Sequence, residues 1–244
     1  MRAFVLGASA GLGRALTEAL AARGDDLLLV ASDPCDLEAQ AAHLRLVYGV
    51  KVEILATDAA HTAQCLEHIR TAAARFGAID AILFPIGLSL SEDCGTLPLQ
   101  QTQQLINVNL LTVVGAIGQF LPDLLASNFG SIVGFSSVAA TRGRGANIVY
   151  AAAKRGLESY FESLRHLTAH TEIRVQLYRL GYVATQQSFG QHLLFPVASP
   201  EVIAETVLRN LRSDRGLTYL PRYWAILARI VSALPWPIFK RLNF

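Results

Sequence analysis

A tyrosine and a lysine at a fixed spacing are the residues of this chain best suited to proton transfer. The segment Tyr150-Ala-Ala-Ala-Lys154 sets a phenol and an ammonium four positions apart, on one face of a helix. A free phenol has a pKa of about 10, and a nearby ammonium favours the phenolate and lowers that pKa. Ser137 lies thirteen residues before Tyr150, at the end of a predicted strand, and Asn109 lies in the helical segment before that strand. These side chains predict acid/base chemistry at a carbonyl or hydroxyl oxygen.

A glycine-rich turn near the N-terminus predicts a site for a phosphate-containing ligand. Gly7-Ala-Ser-Ala-Gly11-Leu-Gly13 follows a buried strand and begins a helix. The glycines let the backbone turn sharply and approach a pyrophosphate, whose charge meets the N–H groups of the helix N-terminus. A plain strand-to-helix turn is the alternative. We favour the dinucleotide site because strand, turn and helix follow in that order within the first 31 residues.

Taken together, these motifs resemble the classical short-chain dehydrogenase/reductase family over residues 2 to about 185. The resemblance implies a nicotinamide-dependent oxidoreductase that transfers a hydride between NAD(P)H and a carbonyl or secondary alcohol. It implies that Tyr150 is the acid/base, and that Lys154 lowers its pKa and holds the nicotinamide ribose. Ser137, preferred over Ser136 for its spacing from Tyr150, would bind the substrate oxygen. Asn109 would anchor a water chain that relays the proton.

The resemblance also implies which residues contact the nicotinamide cofactor. Asp58 follows the third strand and would bind the adenine ring, and capping of the next helix is an alternative that can coexist with this role. Val183 and Thr185 belong to the loop Gly181-Tyr-Val-Ala-Thr185, where the family holds the nicotinamide carboxamide. The full predicted set is Gly7, Ser9, Gly11, Leu12, Gly13, Ser32, Asp58, Gly87, Tyr150, Lys154, Val183 and Thr185.

Two segments depart from the family pattern. Phe84-Pro85-Ile86-Gly87 stands where the family has Asn-Asn-Ala-Gly, so the asparagines that brace the central sheet are missing, although Gly87 still permits close approach to the ribose. Leu180 replaces the proline of the loop after the sixth strand.

The choice between NAD(H) and NADP(H) depends on the end of the second strand and stays open. Ala31 occupies the position of the acid that binds the ribose 2′-hydroxyl in NAD-preferring members. Ser32 stands where NADP-preferring members often have Arg, and Ala10 in the glycine-rich turn is not basic either. Asp33 is close enough to repel a 2′-phosphate.

The elements that must position these residues alternate regularly along the chain. Short apolar runs fit strands buried on both faces, and longer segments of helical period separate them. This alternation predicts an α/β fold, a Rossmann-type doubly wound parallel sheet of about seven strands flanked by helices, in a single domain over residues 1–244. The predicted strands are 3–6, 27–31, 52–56, 81–84, 131–135 and 173–178, and the helices between and after them are 12–23, 37–48, 62–76, 99–120, 147–170 and 201–212.

Composition excludes several other classes of protein. Of 244 residues, 52% are hydrophobic and only 16% are charged, which argues against a disordered chain. Three scattered cysteines, Cys35, Cys65 and Cys94, argue against a disulfide framework or a zinc site, so we predict no metal and a reducing compartment. The apolar segment 94–122 contains seven Asn and Gln residues and predicts a buried helix rather than a membrane span. With no signal peptide recognised, we predict a cytoplasmic protein.

The last 30 residues, 215–244, form a predicted basic tail. They carry five basic and no acidic residues, too few and too dispersed to predict nucleic-acid binding. Two interpretations stay open: a helix packed on the body or at a dimer contact, or an amphipathic segment that attaches the protein peripherally to an anionic membrane. The apolar residues of this helix are Tyr223, Trp224, Leu227, Ile230, Val231 and Leu234.

A narrower resemblance concerns the substrate, a small-molecule carbonyl or alcohol. The segment 144–150 and the Ile-Phe-Lys-Arg-Leu ending are similar to the decaprenyl-phosphoryl-2-ketoribose reductases, which implies a lipid-linked keto-sugar. Residues 186–199 are predicted to form the substrate lid, with His192 its one titratable group. Family resemblance implies a homodimer or homotetramer. The alternative function is a non-catalytic dinucleotide-binding sensor or scaffold on the same fold.

Overall fold

Seven parallel strands form one sheet in a computed structural model that describes residues 1–184 and 195–242. The strand order is β3-β2-β1-β4-β5-β6-β7, which confirms the predicted doubly wound fold. The strands are β1 (Arg2–Leu6), β2 (Asp26–Ala31), β3 (Val52–Ala56), β4 (Ala81–Phe84), β5 (Phe129–Ser137), β6 (Glu172–Leu180) and β7 (Gly216–Leu220). The α-helices are α1 (Gly11–Ala22), α2 (Pro34–Tyr48), α3 (Thr62–Phe76), α4 (Leu99–Ile106), α5 (Thr112–Ser127), α6 (Ile148–Leu167), α7 (Pro200–Asn210), α8 (Trp224–Ala233) and α9 (Trp236–Phe239).

The central strands are apolar throughout because helices cover both faces of the sheet. In β2, Leu27 and Leu29 belong to the core on one face, while Leu28 and Val30 belong to the core on the other. All four side chains are fully buried. The first core packs under α1, α2 and α7, and the second under α3, α5 and α6. Helices therefore hold the sheet from both sides, and the ends of neighbouring strands are fixed relative to one another.

The seventh strand corrects the sequence prediction for residues 215–244. β7 occupies the first part of the predicted tail and pairs with β6, with Leu177 opposite Leu217. It escaped prediction because it is an edge strand of five residues in which Leu217 is 47% exposed, so it lacks the apolar run of a central strand. The part of the tail that lies beyond the sheet therefore begins at residue 221.

The helical run between β4 and β5 is not the single regular helix that the sequence predicts. A π-helical turn, Asn107–Leu111, separates α4 from α5. The combined run Leu99–Ser127 is long and apolar enough to cross a membrane by length and composition, a test that the core helix of a globular protein also passes. Ile117 and Phe120 of α5 pack into the core beneath the sheet.

The C-terminal helices pack against the body on one side, as the first interpretation of the tail expects. Arg142, in the loop after β5, donates hydrogen bonds to the carbonyls of Val231 (2.7 Å) and Leu234 (2.6 Å) at the end of α8. Its guanidinium also lies 3.8 Å from the centre of the Phe239 ring. One arginine in the loop after β5 thus contacts both α8 and α9.

We expect Arg142→Ala to loosen this packing. The variant loses two hydrogen bonds from a charged group and a cation–π contact, so the free energy of unfolding should fall by about 2 kcal/mol. Urea unfolding measures the loss, and trypsin should cleave faster after Arg229. Arg75→Ala removes an exposed arginine from α3 and should change neither quantity. An unchanged cleavage rate in Arg142→Ala would show that other contacts hold the tail.

Candidate active site

The glycine-rich turn is shaped by contacts that exclude side chains. Gly7 has φ +93°, and a Cβ there would lie 2.8 Å from the backbone of Ile86. A Cβ on Gly13 would lie 1.8 Å from the carbonyl oxygen of Gly7, because α1 packs directly on the turn. α1 begins after Ala10 with no side-chain cap and no acidic residue in its first turn. Its first N–H groups are thus available to an anion, and the turn fits a dinucleotide pyrophosphate.

Arg14 stabilises this turn and was missed by sequence reasoning. Its guanidinium donates to the carbonyl oxygen of Ser9 from Nε (3.1 Å) and from Nη2 (2.7 Å). It also lies 3.6 Å from the carboxylate of Asp36. The sequence did contain a signal for this contact. Arg14 directly follows Gly13, the last glycine of the motif, and a side chain of that length can reach back to the carbonyl groups of the turn.

The ends of β2 and β3 hold the residues predicted for the adenosine part. Ser32 is exposed after β2, and the Asp33 carboxylate caps α2 by accepting from the N–H groups of Cys35 (2.8 Å) and Asp36 (3.1 Å). Asp58 is exposed and accepts from the N–H of Ala60 (2.8 Å).

The structure contradicts the idea that Asp58 also caps the following helix. The residue before α3 is His61, which makes no side-chain capping bond. Asp58 lies three residues before His61, and its carboxylate closes a local turn with the N–H of Ala60 instead.

Asn109 is fully buried inside the π-helical turn, a distortion that is frequent at functional sites. Its Oδ1 accepts from the N–H of Leu88 (3.1 Å), and its Nδ2 donates to the carbonyls of Leu88 (2.7 Å) and Leu105 (2.9 Å). A Cβ on Gly87 would lie 3.5 Å from Asn109 Oδ1 and 3.6 Å from Lys154 Nζ. Gly87, Asn109 and Lys154 therefore meet at one point, although they come from three separate segments.

The structure brings Ser137 and Tyr150 together. The hydroxyl of Ser137, at the end of β5, accepts from the N–H of Ala139 (3.2 Å) and lies close enough to the phenol of Tyr150, in the first turn of α6, to favour the phenolate. Ser136 points elsewhere, since its hydroxyl donates to Glu158 Oε1 (2.6 Å). Burial raises the pKa of Tyr150, while the Ser137 hydroxyl and the charge of Arg144 oppose that rise. The preference for Ser137 over Ser136 therefore agrees with the geometry.

Lys154 is 3% exposed and directs its ammonium at two backbone carbonyls, those of Ile86 (3.1 Å) and Phe135 (3.0 Å). Its Nζ lies 5.9 Å from the centre of the Tyr150 ring. Burial lowers the pKa of Lys154 to about 8. The influence of Lys154 on the pKa of Tyr150 stays a prediction, and the charge of Arg144 is a second influence that opposes the rise in that pKa. Sequence reasoning missed Arg144 because its effect depends on how the loop before α6 folds back.

The loop after β6 places part of the predicted carboxamide site. Val183 is buried and forms a parallel bridge with Ala198. Gly181 lies against the indole of Trp224, where a Cβ would be 1.8 Å from Nε1. Thr185, His192 and most of the predicted lid 186–199 lie outside the described residues. At the end of that segment, the Phe195 ring packs 5.1 Å from Trp224.

A cavity of about 940 Å³ lies apart from these residues, between α6, β6, β7 and α8. Among the described residues that line it are Arg155, Glu158, Arg179 and Arg229, but none of the four predicted catalytic residues. We assign the site to the strand ends rather than to this cavity, because the acid/base groups converge there. In residues 1–184 and 195–242, no group of three or more His, Cys, Asp or Glu side chains could hold a metal ion.

Comparison with known proteins agrees with this geometry. Residues 1–190 match the family model described as short chain dehydrogenase. An uncharacterized oxidoreductase of Myxococcus xanthus (strain DK1622) is 29% identical over 97% of this chain and 94% of that protein. The 3-oxoacyl-(acyl-carrier-protein) reductase FabG of Escherichia coli (strain K12) is 30% identical over 76% of this chain and 75% of that protein. A solved short-chain dehydrogenase from Sphingobium yanoikuyae in complex with NADPH has a TM-score of 0.83 and 26% identity, covering 96% of each chain.

Proposed function

The chain belongs to the short-chain dehydrogenase family, and on that premise we propose that it is an NAD(P)-dependent oxidoreductase acting on a carbonyl or secondary alcohol. One observation carries the proposal: the Ser137 hydroxyl lies beside the phenol of Tyr150, and the Lys154 ammonium lies 5.9 Å from the centre of the same ring. A structural protein has no evident use for a partly buried phenol and hydroxyl next to a buried ammonium at adjoining strand and helix ends.

In this proposal each residue acts on the substrate oxygen or on the proton that it exchanges. Tyr150 gives a proton to the oxygen during reduction and takes it back during oxidation. Ser137 donates a hydrogen bond to the same oxygen and polarises it. Asn109, Lys154 and the carbonyl groups around Gly87 anchor the water chain that returns the proton to solvent. A bound nicotinamide supplies or accepts the hydride.

Several contacts support a dinucleotide as the cofactor. The uncapped N-terminus of α1 offers N–H groups to a pyrophosphate. The backbone packs so closely at Gly7 and Gly13 that a Cβ would clash, and these two glycines present no side chain that could block the pyrophosphate. The cofactor assignment predicts that the intrinsic fluorescence of the protein is quenched by NADH or NADPH. A titration with each, followed by turnover of a ketone and keto-sugar panel with the tighter cofactor, tests both binding and catalysis.

The same experiment separates the enzyme from a dinucleotide-binding sensor or scaffold. A sensor would bind the cofactor and turn over no carbonyl or alcohol in the panel. Binding accompanied by turnover, with turnover lost in a Tyr150 variant, would support the oxidoreductase. Saturable binding without any turnover would favour the sensor.

For the substrate we propose a keto-sugar, with a lipid-linked keto-sugar as the most specific form. The support is the similarity of segment 144–150 and of the chain ending to decaprenyl-phosphoryl-2-ketoribose reductases, together with the exposed apolar face described next. The panel should therefore contain free ketoses, simple ketones and a keto-sugar attached to a polyprenyl phosphate. Faster reduction of simple ketones than of every keto-sugar would contradict this substrate class.

We also propose that the residues after β7 attach the protein to an anionic membrane surface. The exposed apolar side chains of this segment are Ile226, Ile230, Trp236, Ile238 and Leu242, and its exposed basic side chains are Arg222, Arg229, Lys240 and Arg241. No acidic residue follows Asp214 to oppose them. Exposed apolar groups surrounded by cations, with a tryptophan among them, suit the interface of an anionic bilayer.

We expect the protein to float with vesicles containing phosphatidylglycerol and not with phosphatidylcholine vesicles. Replacing both Lys240 and Arg241 by Ala removes about 2 kcal/mol of attraction, or roughly a thirtyfold loss of affinity. The matched control is Arg75→Ala, which removes an exposed cation on α3 and should leave flotation unchanged. Equal binding to neutral and anionic vesicles would argue against the electrostatic part of this proposal.

A homodimer or homotetramer is proposed as the assembled state. The outer edge of β7 has no neighbouring strand among the described residues, and Leu217 on it is 47% exposed. An exposed edge strand is a ready surface for pairing with a second copy. Light scattering after size-exclusion chromatography gives the mass directly, and a mass of one chain at micromolar concentration would contradict the proposal.

A further inference from the structure

A buried carboxylate caps the helix that carries the candidate acid/base. Asp93 is 1% exposed and lies in the loop between β4 and α4. Its Oδ1 accepts from the N–H of Val149 (3.0 Å), and its Oδ2 accepts from the N–H of Tyr150 (2.9 Å). The backbone carbonyl of Asp93 accepts from the N–H of Ile148 (3.4 Å). Three consecutive N–H groups at the start of α6 therefore depend on a single residue more than fifty positions earlier in the chain.

The helix has no cap of its own. Asn147, the residue before α6, adopts a left-handed conformation (φ 54°) and makes no side-chain capping bond. The first turn also contains no acidic residue. The first N–H groups of a helix lack partners within the helix and carry partial positive charge, so a buried carboxylate is the strongest partner they can have.

The loop that carries Asp93 also contacts two other members of the site. Lys154 Nζ donates to the carbonyl of Ile86, and Asn109 binds both the N–H and the carbonyl of Leu88. Asp93 adds a third attachment, which ends on the backbone of Tyr150 itself. This loop thus joins the three helical residues of the candidate site.

We propose that Asp93 is a positioning residue that fixes the backbone of Tyr150, so that the phenol stays beside the Ser137 hydroxyl. The proposal rests on the acid/base role proposed for Tyr150. Positioning matters because a displacement of a reacting group by about 1 Å can cost up to about a hundredfold in rate. A purely stabilising cap would affect unfolding alone. A positioning residue affects the chemical step and the environment of the Tyr150 ring as well.

The test uses Asp93→Asn, which keeps the size of the side chain and replaces one acceptor oxygen by an NH₂ group. The matched control is Glu92→Gln, which neutralises the adjacent, exposed carboxylate. The first measurement is the Cζ resonance of Tyr150 in protein labelled with ¹³C-tyrosine, assigned with Tyr150→Phe. This measurement needs neither cofactor nor substrate, so its result does not depend on whether the proposed activity is found.

The second measurement is steady-state reduction of the carbonyl that the unmodified protein reduces fastest in the panel. We expect Asp93→Asn to lower kcat by about tenfold while KM for cofactor and carbonyl stays within about twofold, because the binding surfaces are untouched. Glu92→Gln should keep kcat, KM and the Tyr150 resonance of the unmodified protein. If Asp93→Asn does not accumulate as folded protein, Asp93→Ser, whose hydroxyl accepts one of the two bonds, replaces it.

A shifted Tyr150 resonance together with a fall in kcat at constant KM supports the proposal. An unshifted resonance overturns it, whether or not the protein turns over any carbonyl. A normal kcat with a shifted resonance also overturns it, because the ring would then move without consequence for the chemistry. If no carbonyl is turned over by the unmodified protein, the proposed function fails, and a shifted resonance still supports the positional effect of Asp93 on Tyr150.

Discussion

Replacing Tyr150 by Phe is expected to lower kcat by about 10³-fold, at the upper part of the range found for general acid/base groups. The phenylalanine fills the same space, so the variant loses the hydroxyl and little else. Without that hydroxyl the proposed mechanism has no proton donor for the substrate oxygen. Burial already raises the pKa of Tyr150, so neutral phenol is the form ready to donate in the direction of reduction.

Binding of the cofactor separates this effect from a loss of structure. The dissociation constant for NADH or NADPH should change by less than about threefold, because the contacts that the glycine-rich turn offers to the pyrophosphate do not involve the Tyr150 hydroxyl. Tyr160→Phe is the matched control, since Tyr160 is half-buried on the same helix and has no assigned role. Retention of full kcat in Tyr150→Phe would remove the acid/base assignment and with it the central part of the proposed function.

The alternation of strands and helices could be predicted from the sequence because strands that are buried on both faces of a sheet appear as short, almost wholly apolar runs. The predicted 52–56 and 81–84 strands coincide with β3 and β4, whereas β5 and β6 extend further at both ends. Ser137 ends β5 and Glu172 begins β6, and a search for apolar runs stops short of such polar residues. β7 was missed for the related reason that an edge strand is only partly covered.

The parts of the site that sequence could not supply all depend on contacts between distant segments. Asp93 has no local feature that marks it as the cap of a helix more than fifty residues later. The π-helical turn around Asn109 follows an ordinary helical pattern in the sequence, and only the bonds to Leu88 and Leu105 show why the backbone bulges. The influence of Arg144 on the pKa of Tyr150 is likewise a result of loop conformation. Residue types and spacing therefore predict which groups are candidates for the chemistry, but not which contacts hold those groups in place.

Lys154→Met is expected to lower kcat/KM for the cofactor and carbonyl by about a hundredfold or more. In the proposed function the ammonium holds the nicotinamide ribose, and in the structure it donates to the carbonyls of Ile86 and Phe135. Arg155→Met is the matched control, because it removes the adjacent cation of the same helix, which donates to the carbonyls of Ala140 and Thr141 instead. Equal losses in the two variants would indicate a general effect of charge on α6.

The same substitution should change how stability depends on pH, with a sign fixed by the depressed pKa of Lys154. In the folded protein this pKa is about 8, whereas the ordinary value is 10.5, so between these values the unfolded chain binds more protons than the folded one. The wild-type protein therefore becomes more stable as pH rises through 8, because it no longer has to bury a charge. Relative to Lys154→Met, its free energy of unfolding should increase by about 2 kcal/mol between pH 7 and pH 9.5. Urea unfolding of both proteins at the two pH values measures this difference. Because the change with pH is compared within each protein, contributions to stability that do not depend on pH drop out of the comparison. Parallel pH dependence in the two proteins would mean that the pKa of Lys154 is the same in the folded and the unfolded chain, so that the side chain keeps its proton over that range in both.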